Sequence, residues 1–296
     1  IGQWSPHNYG NKYRGKIPVY SALTVSSNVC AVRLIKEVGI RAVIQTARTL
    51  GITTPLEYDY TIALGSNGSK LFELTRAYGT FANGGYLVQP YAIERIETSR
   101  GKVVYRAPKT KVSRQLSLKT AAEMTAMLKT VVTKGTGRAA NIGVPCAGKT
   151  GTTDDYKDAS FVGYTPTIVT GVWVGNDDNT TTKSIQGGTV PALIWRDVMK
   201  TTIEEYGKAD FNYPEIELIP TAALKQQAAA KTDDKDDENA VNETPGENAA
   251  APTPTPTETT SSKETSPSTT KQNQSAPVPQ PMPTAPIPMA TPESLR

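Results

Sequence analysis

The sequence predicts an α+β fold, with helices packed against an antiparallel sheet, and three observations carry that expectation. Apolar residues recur at helical spacing between Val29 and Phe81 and again after Ser117. The period shortens to two between Tyr86 and Tyr105, and strands are again expected between Val144 and Val174. A last helical pattern closes the region at Tyr206. Helices, then strands, then a closing helix is the layout of helices laid on one antiparallel sheet.

Residues 1–20 read as loop, because Gly2, Pro6, Gly10, Gly15 and Pro18 interrupt any regular pattern. Ser26-Ser27-Asn28 then precedes a helix from Val29 to Val38, with Val29, Val32 and Ile35 on one face and Gly39 as its stop. A second helix is expected from Ile40 to Leu50, with Val43, Ile44, Ala47 and Leu50 aligned and Gly51 just past the end. A third runs from Leu71 to Phe81, burying Leu71, Leu74, Tyr78 and Phe81, and Asn83-Gly84-Gly85 turns the chain. Tyr86 to Val88 and Ala92 to Glu97 read as short strands, and Ser99-Arg100-Gly101 turns the second into Lys102–Tyr105 as a hairpin. Ser117 is placed to cap a long helix to about Thr133, with Ala121, Met124, Leu128 and Val131 inward, and Gly135-Thr136-Gly137 breaks it. Val144–Thr152, Ala159–Gly163 and Ile168–Val174 form three strands whose short connections imply an antiparallel meander. Pro191 starts the closing helix to Tyr206, with Leu193, Ile194, Val198 and Ile203 apolar. There is no internal repeat.

Composition divides the chain at about Pro214. Tyr213 is the last aromatic residue, and the chain beyond it is rich in Pro, Thr, Ser, Ala, Asp and Glu. Such a segment cannot bury enough apolar surface to offset its chain entropy, so residues 215–296 are expected to form a disordered tail behind a folded region 1–214. Residues 216–296 carry 6 Lys/Arg against 11 Asp/Glu, which leaves the rest of the chain with 26 against 17. The basic part has no dense basic run and no recognition motif, so no nucleic-acid partner is expected; an anionic surface polymer or a carboxylate-bearing substrate suits the charge equally.

Two cysteines, Cys30 and Cys146, are too few for a disulfide framework and match no zinc spacing. They read as small buried thiols, with a single disulfide left open. The one histidine, His7, sits in a loop-like stretch and would have to serve any Ser-His-Asp triad. So few imidazoles also argue against most metal chemistry. No apolar run approaches the length of a membrane span.

The chemistry concentrates in Gly148-Lys149-Thr150-Gly151-Thr152 on a predicted strand. A strand edge presents backbone N–H groups to a carbonyl, a lysine there adds positive potential, a threonine hydroxyl holds a carboxylate, and a glycine leaves room for a ligand against the backbone. By itself Ser26-Ser27-Asn28 is a helix cap. Taken with Lys-Thr-Gly downstream, Ser-x-Asn and Lys-Thr-Gly occur in the order found in penicillin-recognising serine enzymes. Further blocks agree: Gly2–Tyr9, Ala22–Val29, Ala63–Gly65, Tyr78–Gly85, Gly135–Gly137, Ala147–Thr153, Phe161–Pro166, Gly171–Asp178 and Trp195–Met199. Together they resemble the class A, bifunctional penicillin-binding proteins over about residues 1–206.

The resemblance implies a penicillin-binding transpeptidase fold, shared with serine β-lactamases, here as a partial domain. It implies peptidoglycan D,D-transpeptidase activity on D-Ala-D-Ala stem peptides, trapping by β-lactam antibiotics, and work at the extracytoplasmic face of the bacterial membrane. Ser26, Lys149 and Thr152 would be catalytic, and Asn28, Thr150, Gly151 and Thr152 would bind substrate. No cofactor or metal is implied. One departure matters: the Ser-x-x-Lys nucleophile of that family precedes Ser-x-Asn, and none lies before Ser26. Ser99-Arg100-Gly101-Lys102 fits the pattern but comes later, in a predicted turn. The nucleophile, a glycosyltransferase region and the membrane anchor are therefore expected upstream of Ile1, and the chain alone is expected to be inactive. A β-lactamase or β-lactam sensor of the same fold, or a wall-binding module without catalysis, are the alternatives.

Overall fold

The computed structural model describes residues 4–108, 112–220 and 222–223. Nearly all of the expected tail lies outside the described residues. The first α-helix, α1 (Val19–Thr24), starts in the last two residues of the stretch expected as loop and runs on through residues for which the sequence predicts no element. Six residues are under two turns, too few to show a helical period. In α2 (Asn28–Val38) the Ser27 hydroxyl accepts from Cys30 N–H at 3.4 Å, and Asn8 Oδ1 accepts from Val29 N–H at 3.1 Å, so two of the unpaired first-turn amides are satisfied. Gly39, at φ 90°, ends α2 and starts α3 (Ile40–Thr49).

Helix α4 (Leu71–Ala82) carries Glu73, a nearly buried carboxylate. It accepts from Thr53 Oγ1 at 2.5 Å, Thr54 N–H at 3.0 Å, Thr54 Oγ1 at 2.9 Å and Thr53 N–H at 3.0 Å. These bonds, led by the Thr53 hydroxyl and the Thr54 amide, hold its pKa down to about 2. The loop after α3 is thereby pinned to α4. At the other end of α4 the chain turns through Gly85, at φ 99°; a Cβ there would lie 2.2 Å from Leu116 O, so only glycine fits.

The first two strands after this turn are shorter than expected, the third keeps its length shifted by one residue, and a fourth forms where none is predicted. β1 (Tyr86–Leu87) pairs with β4 (Ser113–Arg114), and β2 (Arg95–Glu97) with β3 (Val103–Arg106), both antiparallel. Every residue of β2 and β3 is exposed. The expected hairpin is present, with neither face covered. Helix α5 (Leu118–Lys134) starts as predicted, its Thr120 N–H bonded to the Ser117 hydroxyl at 3.0 Å.

The main sheet is the predicted meander: β5 (Ala147–Thr152), β6 (Asp158–Tyr164) and β7 (Val169–Gly175), in the order β5-β6-β7. Register runs unbroken from Ala147↔Tyr164 to Thr152↔Ala159 and from Asp158↔Gly175 to Tyr164↔Val169. Side chains alternate across the sheet, and each face has its own core. On one, Tyr164 and Ala147 pack with Leu128 of α5 and Phe81 of α4. On the other, Phe161 packs with Trp195, Ala192, Met199 and Ile203 of α6 (Val190–Tyr206), together with Val132, Ala140 and Cys146. Fully burying one such side chain is worth about 1.5–3 kcal/mol. The Trp195 indole N–H donates to Gly163 O at 3.3 Å and Thr170 O at 3.1 Å, fixing α6 across β6 and β7.

This corrects the predicted face of α6. Leu193, Ile194 and Val198 are exposed, whereas Ala192, Trp195, Met199 and Ile203 are buried. Both sides of this helix offer apolar residues, and the sheet selects the side carrying the indole. A Cβ at Gly163 would meet Trp195 at 3.0 Å, which shows how closely the ring approaches the strand. Beyond α6, the Tyr213 hydroxyl accepts from Gly84 N–H at 3.0 Å and donates to Phe81 O, while Phe211 meets Tyr164 edge-on at 5.8 Å. Tyr213 is thus tied to the end of α4 and Phe211 to the end of β6.

Candidate active site

Ser26 is placed by its neighbours in the chain. The end of α1 lies on the end of α5: Thr136 N–H donates to Thr24 O at 3.2 Å, and a Cβ at Gly135 would come within 2.3 Å of that same oxygen. The Gly135-Thr136-Gly137 break therefore lets two chain segments touch. Ser26 comes next at φ 54°, a left-handed conformation uncommon outside glycine, with its N–H on Leu23 O at 3.1 Å. Its side chain is exposed and faces the edge of the sheet.

There it meets Lys149 of β5, whose Nζ donates to Ser26 Oγ at 2.8 Å. The same ammonium donates to Thr150 O at 3.0 Å and approaches Thr150 Oγ1 at 3.4 Å. Burial of the lysine lowers its pKa to about 8, since an apolar setting disfavours the charged form. It remains mostly protonated at neutral pH and is far closer to its titration point than a surface lysine.

The strand's outer edge follows from ladder parity. Thr153 N–H bonds Asp158 O at 3.0 Å, so in this register the odd residues of β5 bond β6. The amides of Thr150 and Thr152 then point along the free edge. Their hydroxyls have partners already: Thr150 Oγ1 meets Thr136 Oγ1 at 2.7 Å, and Thr152 Oγ1 accepts from Gly187 N–H at 3.0 Å.

The predicted residues do not all meet. Ser26, Lys149 and Thr150 form one cluster. Asn28 stands in the first turn of α2, and its amide donates to His7 O at 2.9 Å, which fixes the side chain against the residue 7–8 loop. At Gly151 the space is filled from the neighbouring strand, because a Cβ would lie 2.5 Å from Ser160 Oγ. The His7 ring turns to Tyr13, with Nδ1 and the phenol oxygen 3.2 Å apart. Cys30 is half-buried, Cys146 is buried, and both are free thiols. Burial pushes the Cys146 thiol pKa up. Thr136 and Gly187 do not stand out singly in the sequence. Thr136 lies in a block that does, Gly135–Gly137, whereas a Gly-Gly pair reads as a turn anywhere. Among the described residues no group of three or more His, Cys, Asp or Glu is arranged to hold a metal, and no helix is long and apolar enough to cross a membrane.

Fold and site together have the layout of a penicillin-binding transpeptidase domain: a sheet covered by helices, with a Lys-Thr-Gly edge strand facing the serine of a Ser-x-Asn loop. The chain belongs to the penicillin-binding protein transpeptidase family, whose domain model matches residues 1–200. It is similar to penicillin-binding protein 1A of Aquifex aeolicus, 36% identical over 228 residues, covering 73% of this chain and 30% of that protein. It is also similar to penicillin-binding protein 1A of Pseudomonas aeruginosa, 34% identical over 245 residues, covering 65% of this chain and 30% of that protein. These relatives place it among the class A members. The chain thus spans about 30% of the length of the curated relatives it matches. Among solved structures, penicillin-binding protein 1A from Haemophilus influenzae superposes with a TM-score of 0.68 at 27% identity, over 75% of this chain and 40% of that one. The PonA1 protein of Mycobacterium tuberculosis, solved in complex with penicillin V, shares the fold at a TM-score of 0.63 and 24% identity, over 73% of this chain and 63% of that one.

Proposed function

We propose that this chain is the Lys-Thr-Gly side of a serine D,D-transpeptidase that cross-links peptidoglycan, within a bifunctional glycosyltransferase/transpeptidase held at the extracytoplasmic face of the membrane. The observation that carries the reading is the 2.8 Å contact between Lys149 Nζ and Ser26 Oγ, made at a strand edge whose Thr150 and Thr152 amides turn away from β6. The nucleophile is assigned to a Ser-x-x-Lys motif preceding Ile1, which fits relatives that extend far beyond this chain. On this reading the 296-residue chain alone is inactive.

The reaction is acyl transfer in two steps. The nucleophilic serine Oγ bonds to the carbonyl carbon of the D-Ala-D-Ala peptide bond, the C–N bond breaks, and the serine proton reaches the leaving nitrogen through Ser26. An amine of a second stem peptide then attacks the ester, the C–O bond breaks, and the serine regains its proton. Lys149 holds Ser26 by its hydrogen bond and the substrate carboxylate by its charge. Thr150 and Thr152 hydroxyls bind that carboxylate, and Gly151 between them lets Ser160 of the neighbouring strand pack against β5. Asn28 bonds the substrate backbone. The Thr152 amide supplies half of the oxyanion hole, where one donor is worth roughly 100- to 1000-fold in rate. A β-lactam enters as a mimic of D-Ala-D-Ala and its acyl-enzyme persists.

The test is peptide mass spectrometry of the intact gene product after brief exposure to penicillin. A stable adduct on one serine ahead of Ile1 is expected. A folded gene product without an adduct would make the wall-binding module the better reading, and rapid turnover of the drug would make it a β-lactamase.

A further inference from the structure

Behind the free edge of β5 lies a turn that packing alone explains poorly. It runs from Gln186 to Thr189 and is closed by three bonds: Thr189 N–H to Gln186 O at 2.9 Å, Thr189 Oγ1 to Gln186 O at 2.7 Å, and Gln186 N–H to Thr189 Oγ1 at 3.2 Å. Gln186 Nε2 donates to Tyr9 Oη at 3.1 Å, tethering the turn on its outer side. Helix α6 begins at Val190, so the turn is also anchored through Trp195 to the core.

Its two central residues lie flat on the site. A Cβ at Gly187 would stand 2.3 Å from Ser160 O and 2.4 Å from Gly151 O, on the ladder rung between Thr150 and Thr152. A Cβ at Gly188 would stand 2.3 Å from Thr136 O and 3.7 Å from Thr150 Cγ2. Neither glycine has a positive φ, so close approach rather than backbone conformation demands them. The approach brings Gly187 N–H to Thr152 Oγ1 at 3.0 Å. A hydroxyl has one proton, and an oxygen that accepts from a fixed amide has that proton left to give. Among the described residues the Thr152 hydroxyl donates to none. The Gly188 contact presses on Thr136, whose hydroxyl meets that of Thr150 at 2.7 Å. One turn therefore backs both threonines.

We propose that the Gln186–Thr189 turn is a positioning element of this edge, orienting the Thr152 hydroxyl through Gly187 N–H, and the Thr150 hydroxyl through Thr136, to donate to a ligand carboxylate. This rests on the acyl-transfer reading above and assigns the turn to recognition of the anion rather than to bond breaking. A charge-assisted hydrogen bond that loses its orientation costs roughly 10- to 100-fold in affinity or rate.

The experiment measures acylation of the intact gene product by a penicillin and by its methyl ester, which lacks the anion. Gly187→Ala should slow acylation by the acid roughly 10- to 100-fold and by the ester far less, so that the acid-to-ester preference collapses. Thr189→Val, at an exposed position, removes only the side-chain closure of the turn and should shift the same ratio in the same direction by a smaller factor. If Gly187→Ala fails to melt cooperatively, Thr189→Val carries the test. An unchanged ratio in a folded variant, whether both rates fall together or neither falls, overturns the positioning role while leaving the transpeptidase reading intact. A parent protein acylated by neither compound overturns that reading itself, and the turn's role with it.

Discussion

Two serine–lysine pairings in this molecule differ in the way that matters for chemistry. Ser99 and Lys102 stand three apart in sequence, at the tip of the β2–β3 hairpin, and both are exposed. Ser26 and Lys149 are 123 residues apart and touch at 2.8 Å. The first pair has the spacing of a catalytic motif and nothing around it. The second joins residues of two separate motifs, Ser-x-Asn and Lys-Thr-Gly, where burial lowers the lysine pKa to about 8 and a strand edge offers aligned amides. On the proposed function, reactivity is made by this tertiary approach and by desolvation, which the three-residue spacing of Ser99 and Lys102 does not supply.

The largest test of that contrast is kinetic. Lys149→Ala in the intact gene product should reduce penicillin acylation on the order of 10²- to 10⁴-fold, the range for loss of a residue that handles charge and protons. Lys102→Ala should leave it unchanged. Comparable losses from both, measured by stopped-flow quenching, would erase the distinction. Lys149→Met should at the same time not lower the melting temperature at pH 7. A half-buried lysine with a depressed pKa makes the folded state bind fewer protons than the unfolded one between about pH 8 and its ordinary value, so stability rises with pH there and nothing is lost by removing the charge.

The sheet and the hairpin should differ in stability as well. Leu128→Ala, beneath Tyr164 and Ala147, should cost about 2–5 kcal/mol in denaturant titrations. Glu73 gives a pH signature between these extremes. Its folded pKa of about 2 lies below the unfolded value of 4.5, so its contribution is complete above that value and is lost as pH falls toward 2. Glu73→Gln should flatten that part of the acid-unfolding curve, and a curve of unchanged shape would show that the Thr53–Thr54 clasp carries little. Val104→Ala, on a strand with no buried face, should change stability by no more than about 0.5 kcal/mol.

Much of this architecture is legible in the sequence because local chemistry and tertiary packing agree. Ser27 and Ser117 announce their helices and then cap them; Leu128 and Val131 lie on the predicted face of α5 and are buried. Lys149 is legible because Lys-Thr-Gly stands on a predicted strand downstream of Ser-x-Asn. Agreement fails where packing alone decides. Both sides of α6 carry apolar residues, and only the fit of Trp195 against Gly163 and Phe161 separates them. Helix α1 is too short for periodicity. Gly187 and Gly188 read as a generic turn, because their meaning lies in atoms 27 to 52 residues away in the chain: Ser160 O, Gly151 O and Thr136 O. The α2 cap hides the site in another way, since Ser26-Ser27-Asn28 is sufficiently explained by helix chemistry until Lys149 is seen beside it.

The backbone at Ser26 restricts what evolution can do there. At φ 54° the position tolerates Gly, Asn or Asp with little strain and penalises a β-branched side chain. Threonine, the one other residue that would place an aliphatic hydroxyl next to Lys149, is therefore disfavoured by the main chain itself. If the proposed function holds, a lineage under antibiotic selection cannot trade serine for threonine at this position to reshape drug binding at low cost. Adaptive change is steered instead toward the surrounding loops, where side chains vary without moving this turn.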